Sequence, residues 1–541
     1  MTESIPVIDL FAGAGGLGEG FSSLRSTDGK PVFKVALSIE MNYAAHRTLE
    51  LRSFFRQFSD SNVPAEYYEH LRGHVSRDEL FEAYPIQSSL AKREAWHVEL
   101  GKVDEREVDE RVESALRGAP LWALCGGPPC QAYSVIGRSR NGGIQSKDHR
   151  VYLYREYLRI LAAHRPPLFI LENVKGLLSS KVDSHGVFDQ MIADLSQPDR
   201  ALQLRSESSS RYHIYSLVVP PRKHHKEGPE FDRRDFIIKA EDYGIPQSRH
   251  RVILLGLRSD LSLPEVPTLL PSKQHISAGQ VLRGLPRLRS GLSRAKDNSD
   301  EWRQAIFGIR ATGVLDAIPN GKGNKLRSDI DWTLSRIRNA RADRGGEFVI
   351  CKSNSDYRPD WYCDNRLNGA CNHGSRSHMK SDLHRYLFVA CFARLFGRSP
   401  GLQDFPPALL PRHKNILKKI EAKHFGDRFR VQLIDKPAST VVSHISKDGH
   451  YYIHYDETQC RSLTVREAAR LQTFPDNYLF CGSRTEQYVQ VGNAVPPLLA
   501  LQFAEIVDQI LQQHLEANRL TKSSTSEWLS PAAGQVREVE C

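Results

Sequence analysis

Cysteine is scarce in this chain, nine in 541 residues at irregular spacing. Such sparse thiols exclude a disulfide framework and fit a reducing compartment, where a free cysteine can act as a nucleophile. Long hydrophobic runs are missing too: LWALCGG and LFILEN fall far short of the roughly 20 apolar residues that span a bilayer. No transmembrane segment and no membrane association are expected. The opening MTESIPVIDLFAGAGG enters an apolar segment without a basic n-region or a small-residue cleavage site. That excludes a secretory signal and points to the cytoplasm. No internal repeat is present.

What remains is an ordinary globular composition, 40% hydrophobic and 26% charged, long enough for two or three domains. The net charge of +10 is unevenly spread: from Asp260 to Tyr455 there are 32 Lys and Arg against 19 Asp and Glu, so the rest of the chain is mildly acidic. A basic middle region attached to a separate core suits a polyanion-binding module, although a solvated basic face would carry the same charge.

The start reads as strand, glycine turn and helix: Val7, Ile8, Leu10 and Phe11 form an apolar run, and Gly13, Gly15, Gly16 and Gly18 follow it. Further strands are VFKVALSIE, ending at Glu40, then LWALCGG, PPLFILEN and RVILLGL. Between LWALCGG and PPLFILEN, Tyr154, Leu158 and Leu161 recur at helical spacing. Strands alternating with helices predict a doubly wound, Rossmann-like α/β sheet. The charged stretch at about 45–115 reads as exposed helix faces and carries no assigned chemistry. Past Leu257 the texture turns to Pro, Gly and Arg clusters with no sustained period, which predicts a smaller, loop-rich second domain. The expected organisation is a catalytic domain over 1–258 with the charged insertion, a second domain over 259–455, a return to the first over 456–515, and a flexible tail over 516–541.

Three groups of residues can carry chemistry. The glycine motif with Glu40 fits any adenosine-bearing cofactor: glycines admit the ligand to the backbone, and an acid at the end of the next strand accepts from ribose hydroxyls. A turn that only packs helix on strand would use the same glycines. Cys130 follows Pro128 and Pro129 at the carboxyl end of a strand, and Arg138, Arg140, Lys147, His149 and Arg150 after it would favour a thiolate. A lone cysteine is as often a small buried hydrophobe. Glu172 ends a buried strand, where a carboxyl needs a partner or a task, and Arg249 and Arg251 supply fixed cationic donors. Cys351, Cys363, Cys371, His373 and His378 lie close together but lack the C-x2-C pairing, so no metal site is expected.

Taken in order, DLFAGAGGLGEGF, GGPPCQAYS, ENVKG, QSRHR, RSLTVREAARLQTFPDNY and VGNAVPP resemble the DNA cytosine-5 methyltransferase family, of the prokaryotic modification-enzyme type. The resemblance spans residues 8 to 500 but not the stretch 45–115, most of 260–430 or the tail, and the short acidic motif that contacts adenine is not located. It implies an S-adenosylmethionine-dependent domain in which Phe11, Gly13, Gly15 and Gly16 line the methionine and adenosine. Glu40 would lie on the ribose, and Asn493 and Val495 would close the pocket from the far end of the chain.

It also implies that Cys130 adds to C6 of a cytosine flipped out of the duplex and that Glu172 hydrogen-bonds N3. Arg251, with Arg249 nearby, would stabilise charge at O2, and the Pro129 carbonyl would accept from the exocyclic amine. No metal is needed. Residues 259–455 would take the place of the target-recognition domain, where phosphate contacts set register and a few side chains read bases. The implied partners are double-stranded DNA and a cognate restriction endonuclease acting on the same short site, with the enzyme a monomer. An RNA (transfer RNA) cytosine-5 methyltransferase would share the catalytic motifs. A nicotinamide-dependent dehydrogenase would share the glycine motif and Glu40, but leaves Cys130, Glu172 and Arg251 without a joint role.

Overall fold

A computed structural model of the chain describes residues 4–128, 149–179, 181–182, 185–204, 211–225, 228–261, 265–317, 323–337, 343–410 and 429–527. A strand apolar on both faces needs cover on both sides. β1 (Ile5–Leu10) is such a strand: Val7 packs into one layer, and Ile8 and Leu10 into the other. The sheet around it contains β2 (Phe33–Glu40), β3 (Ala95–His97), β4 (Ala123–Gly126), β5 (Leu168–Val174), β6 (Tyr212–Tyr215) and β7 (Ile237–Lys239). A short β8 (Gln247–Ser248) stands off the sheet, and β9 (His250–Arg258) completes it. The spatial order is β7-β9-β5-β4-β1-β2-β3, with β6 also paired to β9.

The strands from β3 to β5 are parallel, whereas β9 runs antiparallel to β5, β6 and β7. The chain leaves β1 for β2 and β3 on one side, then crosses to β4 and β5 on the other. The crevice beyond the carboxyl ends of β1 and β4 is therefore the switch point at which such sheets bind ligands.

Helix α1 (Gly16–Ser23) buries Leu17 and Phe21 on one face of the sheet. Between β2 and β4 come α2 (Tyr43–Arg56), α3 (Ala65–Arg72), α4 (Arg77–Ala83), α5 (Pro85–Glu94) and α6 (Glu105–Leu116). On the opposite face, α6, α7 (His149–His164) and α8 (Val187–Ser196) bury Val108, Val112, Tyr157, Leu161, Phe188 and Met191. The stretch 45–115 is helical, but its charges do not all face solvent. Arg52 and Glu19 are buried and bonded to each other, Arg56 pairs with Glu94, and Arg77 pairs with Glu50. Partners 33 and 38 positions apart leave no local spacing to read, which is why these charges look solvated in the sequence.

The basic middle region is less loop-rich than its sequence suggests. Helices α9 (Ser299–Phe307), α10 (Gly323–Ile337) and α11 (Lys380–Phe396) build a core of their own, with Trp302, Ile306, Leu387 and Phe388 against the stripe Leu326, Ile330, Leu334 and Ile337. Exposed Trp332 lies between the guanidinium groups of Arg336 and Arg394, at 4.4 and 4.5 Å. The region closes with β10 (Ala438–Ser439), which pairs in parallel with β8.

The chain then returns through α12 (Val465–Leu471), α13 (Arg484–Asn493) and α14 (Pro497–Glu527). Phe503, Val507 and Leu511 of α14 pack beside α1 on the sheet. The helix runs to Glu527, past residue 516 where a tail was expected. A window within Arg484–Arg519 is apolar enough to span a membrane by composition alone, but 72% of it is buried inside the fold.

Where the middle region meets α12, three histidines are buried. His373 bonds Thr464 Oγ1 and the Pro286 carbonyl, each at 2.9 Å; His378 Nε2 accepts from Ser462 N; His454 lies 3.5 Å from Glu467. Among the described residues no group of three or more could hold a metal. Burial pushes these histidines down to about 4, 3 and 4 respectively. In the unfolded chain each takes a proton near pH 6.5, whereas in the fold each stays neutral well below that. Folding stability is therefore whole above about pH 6.5 and falls as the pH drops toward 4. Urea midpoints should decline between pH 7 and 5; midpoints that hold level across that window would contradict the burial of neutral histidines.

Candidate active site

β4 ends at Gly126, and the turn after it carries Gly127 and Pro128; Pro129, Cys130 and the basic loop to residue 148 lie outside the described residues. Gly127 is fitted against β5: a Cβ there would lie 2.4 Å from the Glu172 carbonyl oxygen and 3.2 Å from its Oε2. Only glycine admits the acid so close to this turn. Asn173, buried at 2% exposure, donates from Nδ2 to the Pro128 carbonyl at 3.3 Å. The residue after the acid thus anchors the segment leading to Cys130. The ENV motif is visible in the sequence, but nothing local shows where its asparagine points.

β9 brings the arginine. Glu172 lies opposite Ile253 and Arg251 opposite Val174, so Glu172 and Arg251 are diagonal neighbours on one face. Arg251 Nε stands 2.9 Å from Glu172 Oε1, with both side chains about one-sixth exposed, 16% and 17%. Arg249 differs from the expectation that it stands beside Arg251 as a second donor. Its guanidinium is turned inward, where Nη1 donates to the Val441 carbonyl at 2.8 Å and the Gly492 carbonyl at 3.2 Å. Burial, and then the neighbouring Arg251, push it down to about 9. The interior carbonyls compete successfully for the side chain because a buried guanidinium without acceptors is costly.

On the other side of the crevice, Phe11 follows β1 with a left-handed φ of 56°, an uncommon conformation for a bulky residue. It turns the chain so that Gly13 N donates to Glu40 Oε2 at 2.8 Å, while Asn42 N donates to Oε1 at 2.7 Å. Burial raises the Glu40 carboxyl above its ordinary range, opposed by these two N–H groups. Glu40 therefore ties the glycine turn to β2, and with the Met41 N–H also on the carboxylate, one of its four lone-pair sites remains for another donor. Gly15, at φ 80°, caps α1. A Cβ on Gly16 would lie 2.1 Å from the Val495 carbonyl oxygen. The glycine turn and the α13–α14 junction are thus in direct contact, with Asn493 exposed between Gly492 and Ala494.

Beside Glu40, β3 places Val98 N on the Glu40 carbonyl at 3.2 Å and His97 Nε2 3.0 Å from the Met41 carbonyl, with Met41 itself exposed. Val98 and Met41 thus lie next to Glu40 at this edge of the sheet. A three-residue strand, AWH, gave no readable pattern, which is why this side was not located from sequence.

Residues 93–200 and 233–509 match the family described as C-5 cytosine-specific DNA methylase. The chain is 32% identical over 526 residues to the type II methyltransferase M.Bpa9945I of Bacillus paralicheniformis, covering 94% of this chain and 99% of that one. It is 25% identical to the type II methyltransferase M.AgeI of Thalassovita gelatinovora, over 92% and 98% of the two chains. Identity to the DNA (cytosine-5-)-methyltransferase M.ApeKI of Aeropyrum pernix is 26%, over 74% and 83%. Because the matched segments take in Glu172, Arg251 and the α13–α14 junction, and the first relative aligns along nearly the whole length, the chain belongs to the C-5 cytosine-specific DNA methylase family and is a DNA (cytosine-5-)-methyltransferase.

Proposed function

We propose that the crevice holds S-adenosylmethionine against the glycine turn, while a cytosine flipped from double-stranded DNA enters on the Glu172–Arg251 side. The observation that carries this is the Glu172 carboxyl, held between Gly127 and Arg251 at the switch point of the sheet. The cofactor side fits its ligand: Gly13 leaves open backbone, Gly15 turns the chain into α1, Glu40 retains acceptor capacity for ribose hydroxyls, and Phe11, Gly16, Asn493 and Val495 complete the wall. When bound, S-adenosylmethionine supplies a methyl group on a sulfonium.

The chain's own residues do the rest. Cys130, as a thiolate, adds to C6 of cytosine and makes C5 nucleophilic. Electron density arriving at N3 is met by the Glu172 carboxyl, and Arg251, already ion-paired with that carboxyl, donates to O2. Arg249 acts through position rather than contact. The Pro129 carbonyl accepts from the exocyclic amine. After C5 is methylated, its proton leaves and Cys130 is eliminated.

The type II names of the relatives support a modification role at one short duplex site, shared with a cognate restriction endonuclease. We place the enzyme in the cytoplasm as a monomer, with the basic region 259–455 reading the site. Duplex DNA carrying 5-fluorocytosine at that site, with S-adenosylmethionine present, should yield a protein–DNA adduct that survives denaturation. Absence of any such adduct would remove Cys130 addition from the mechanism. Gly16→Ala should raise the KM for S-adenosylmethionine at least about tenfold, roughly 1.4 kcal/mol, because backbone rather than a side-chain tip must give way at Val495. An unchanged KM would mean that the α13–α14 junction does not wall the cofactor.

A further inference from the structure

Besides Arg249, the α13–α14 junction is held from below by side chains that the catalytic reading does not use. The last carbonyls of α13 have no partner within their own helix. Gln472, fully buried, donates from Nε2 to the Val491 carbonyl at 2.6 Å and the Ala494 carbonyl at 3.2 Å. Arg249 takes the Gly492 carbonyl between them. The next residue, Thr473, accepts from Leu498 N in the first turn of α14 at 3.0 Å. It does so at a left-handed φ of 64°, which a β-branched residue adopts only when its surroundings impose it.

Gln472 is itself held from the base side. Its Oε1 accepts from Gln247 Nε2 at 2.5 Å; Gln247, also fully buried, donates to the Leu471 carbonyl at 2.8 Å and accepts from Val441 N at 3.0 Å. Both N–H groups and the oxygen of each amide are used, and the bonds run in one direction from Val441 to the junction. Turning either amide over would set oxygen against oxygen or N–H against N–H. Gln247 lies four residues before Arg251, and Gln472 grips the carbonyls that flank Asn493.

We propose that Gln472 is a positioning residue for the cofactor-side junction 492–495, and that the Gln247–Gln472 pair links it to β8, just ahead of the strand bearing Arg251. S-adenosylmethionine affinity then depends on Gln247, although Gln247 hydrogen-bonds neither the junction nor the glycine turn. The inference rests on the reading of the crevice proposed above. Methionine keeps most of the glutamine's volume and removes its polar end.

The dissociation constant for S-adenosylmethionine, measured by calorimetry on the full chain without DNA, should rise at least about tenfold in both Gln472→Met and Gln247→Met. In Gln472→Met the KM for the cofactor should rise more than kcat falls. Should that variant fail to fold, Gln472→Asn, whose amide stops one methylene short, should show the same split in smaller measure. Wild-type affinity in the Gln472 variants overturns the positioning role, as do KM and kcat effects that merely track a lowered Tm. Lost affinity in Gln472→Met beside wild-type affinity in Gln247→Met overturns the link. A wild-type protein that binds no S-adenosylmethionine sinks the reading of the crevice itself, a result distinct from normal binding that the variants leave unaltered.

Discussion

Cys130→Ser should lower kcat by more than 100-fold while cofactor binding and the fold persist. A serine hydroxyl at neutral pH is far less ionised than a thiol, and addition to C6 requires the anion. A factor of 100 is about 2.7 kcal/mol of barrier, modest for the loss of covalent catalysis. In the mechanism proposed above, Glu172 and Arg251 would not compensate, because the charge they meet at N3 and O2 develops only once C6 has been attacked. Single-turnover rates on a duplex containing the site decide the point. A variant retaining a tenth of the wild-type rate would mean that Cys130 is not the nucleophile, and the 5-fluorocytosine adduct would then have to map elsewhere.

Arg52→Ala should destabilise the folded protein by about 3–5 kcal/mol, the range for breaking a buried ion pair by removing one partner. Glu19, in the glycine motif's own helix, is 3% exposed, and burial opposes its ionisation; the Arg52 guanidinium nonetheless holds it below the usual carboxylate range. Arg52 bonds both Glu19 oxygens, donates to Asn477 Oδ1 at 3.1 Å and lies 4.1 Å from the Phe55 ring centroid. Without it Glu19 keeps the more distant Arg56, at 3.5 Å, and the pull of Arg25. Such a loss is a large part of a typical domain's stability. Urea denaturation measures it, and a loss below about 1 kcal/mol would show that Arg56 and water suffice.

The parts of the site that were legible in the sequence are those in which chemistry is written locally. The glycine turn after an apolar run, the carboxyl ending LFILEN, and an arginine opening RVILLGL each carry their meaning within a few residues. Arg249 does not, because its acceptors, Val441 and Gly492, lie 192 and 243 positions away. Asn173 and Gln472 were missed for the same reason: an amide's role is set by what it faces. The charged stretch 45–115 misled because helix faces rich in both signs look solvated whether they meet water or each other. In the middle region, Leu326, Ile330, Leu334 and Ile337 form a plain helical stripe, but the Gly- and Asn-rich PNGKGNK just before it hid the helix among turn signals.

The central claim is methylation of C5 of cytosine at one short duplex sequence. Bisulfite sequencing of DNA incubated with the protein and S-adenosylmethionine tests it most directly. Each mismatched base pair should cost about 1–3 kcal/mol, so protected cytosines should be nearly complete at one motif and rare elsewhere. DNA in which no cytosine is protected, while the protein is folded and binds the cofactor, would contradict the account.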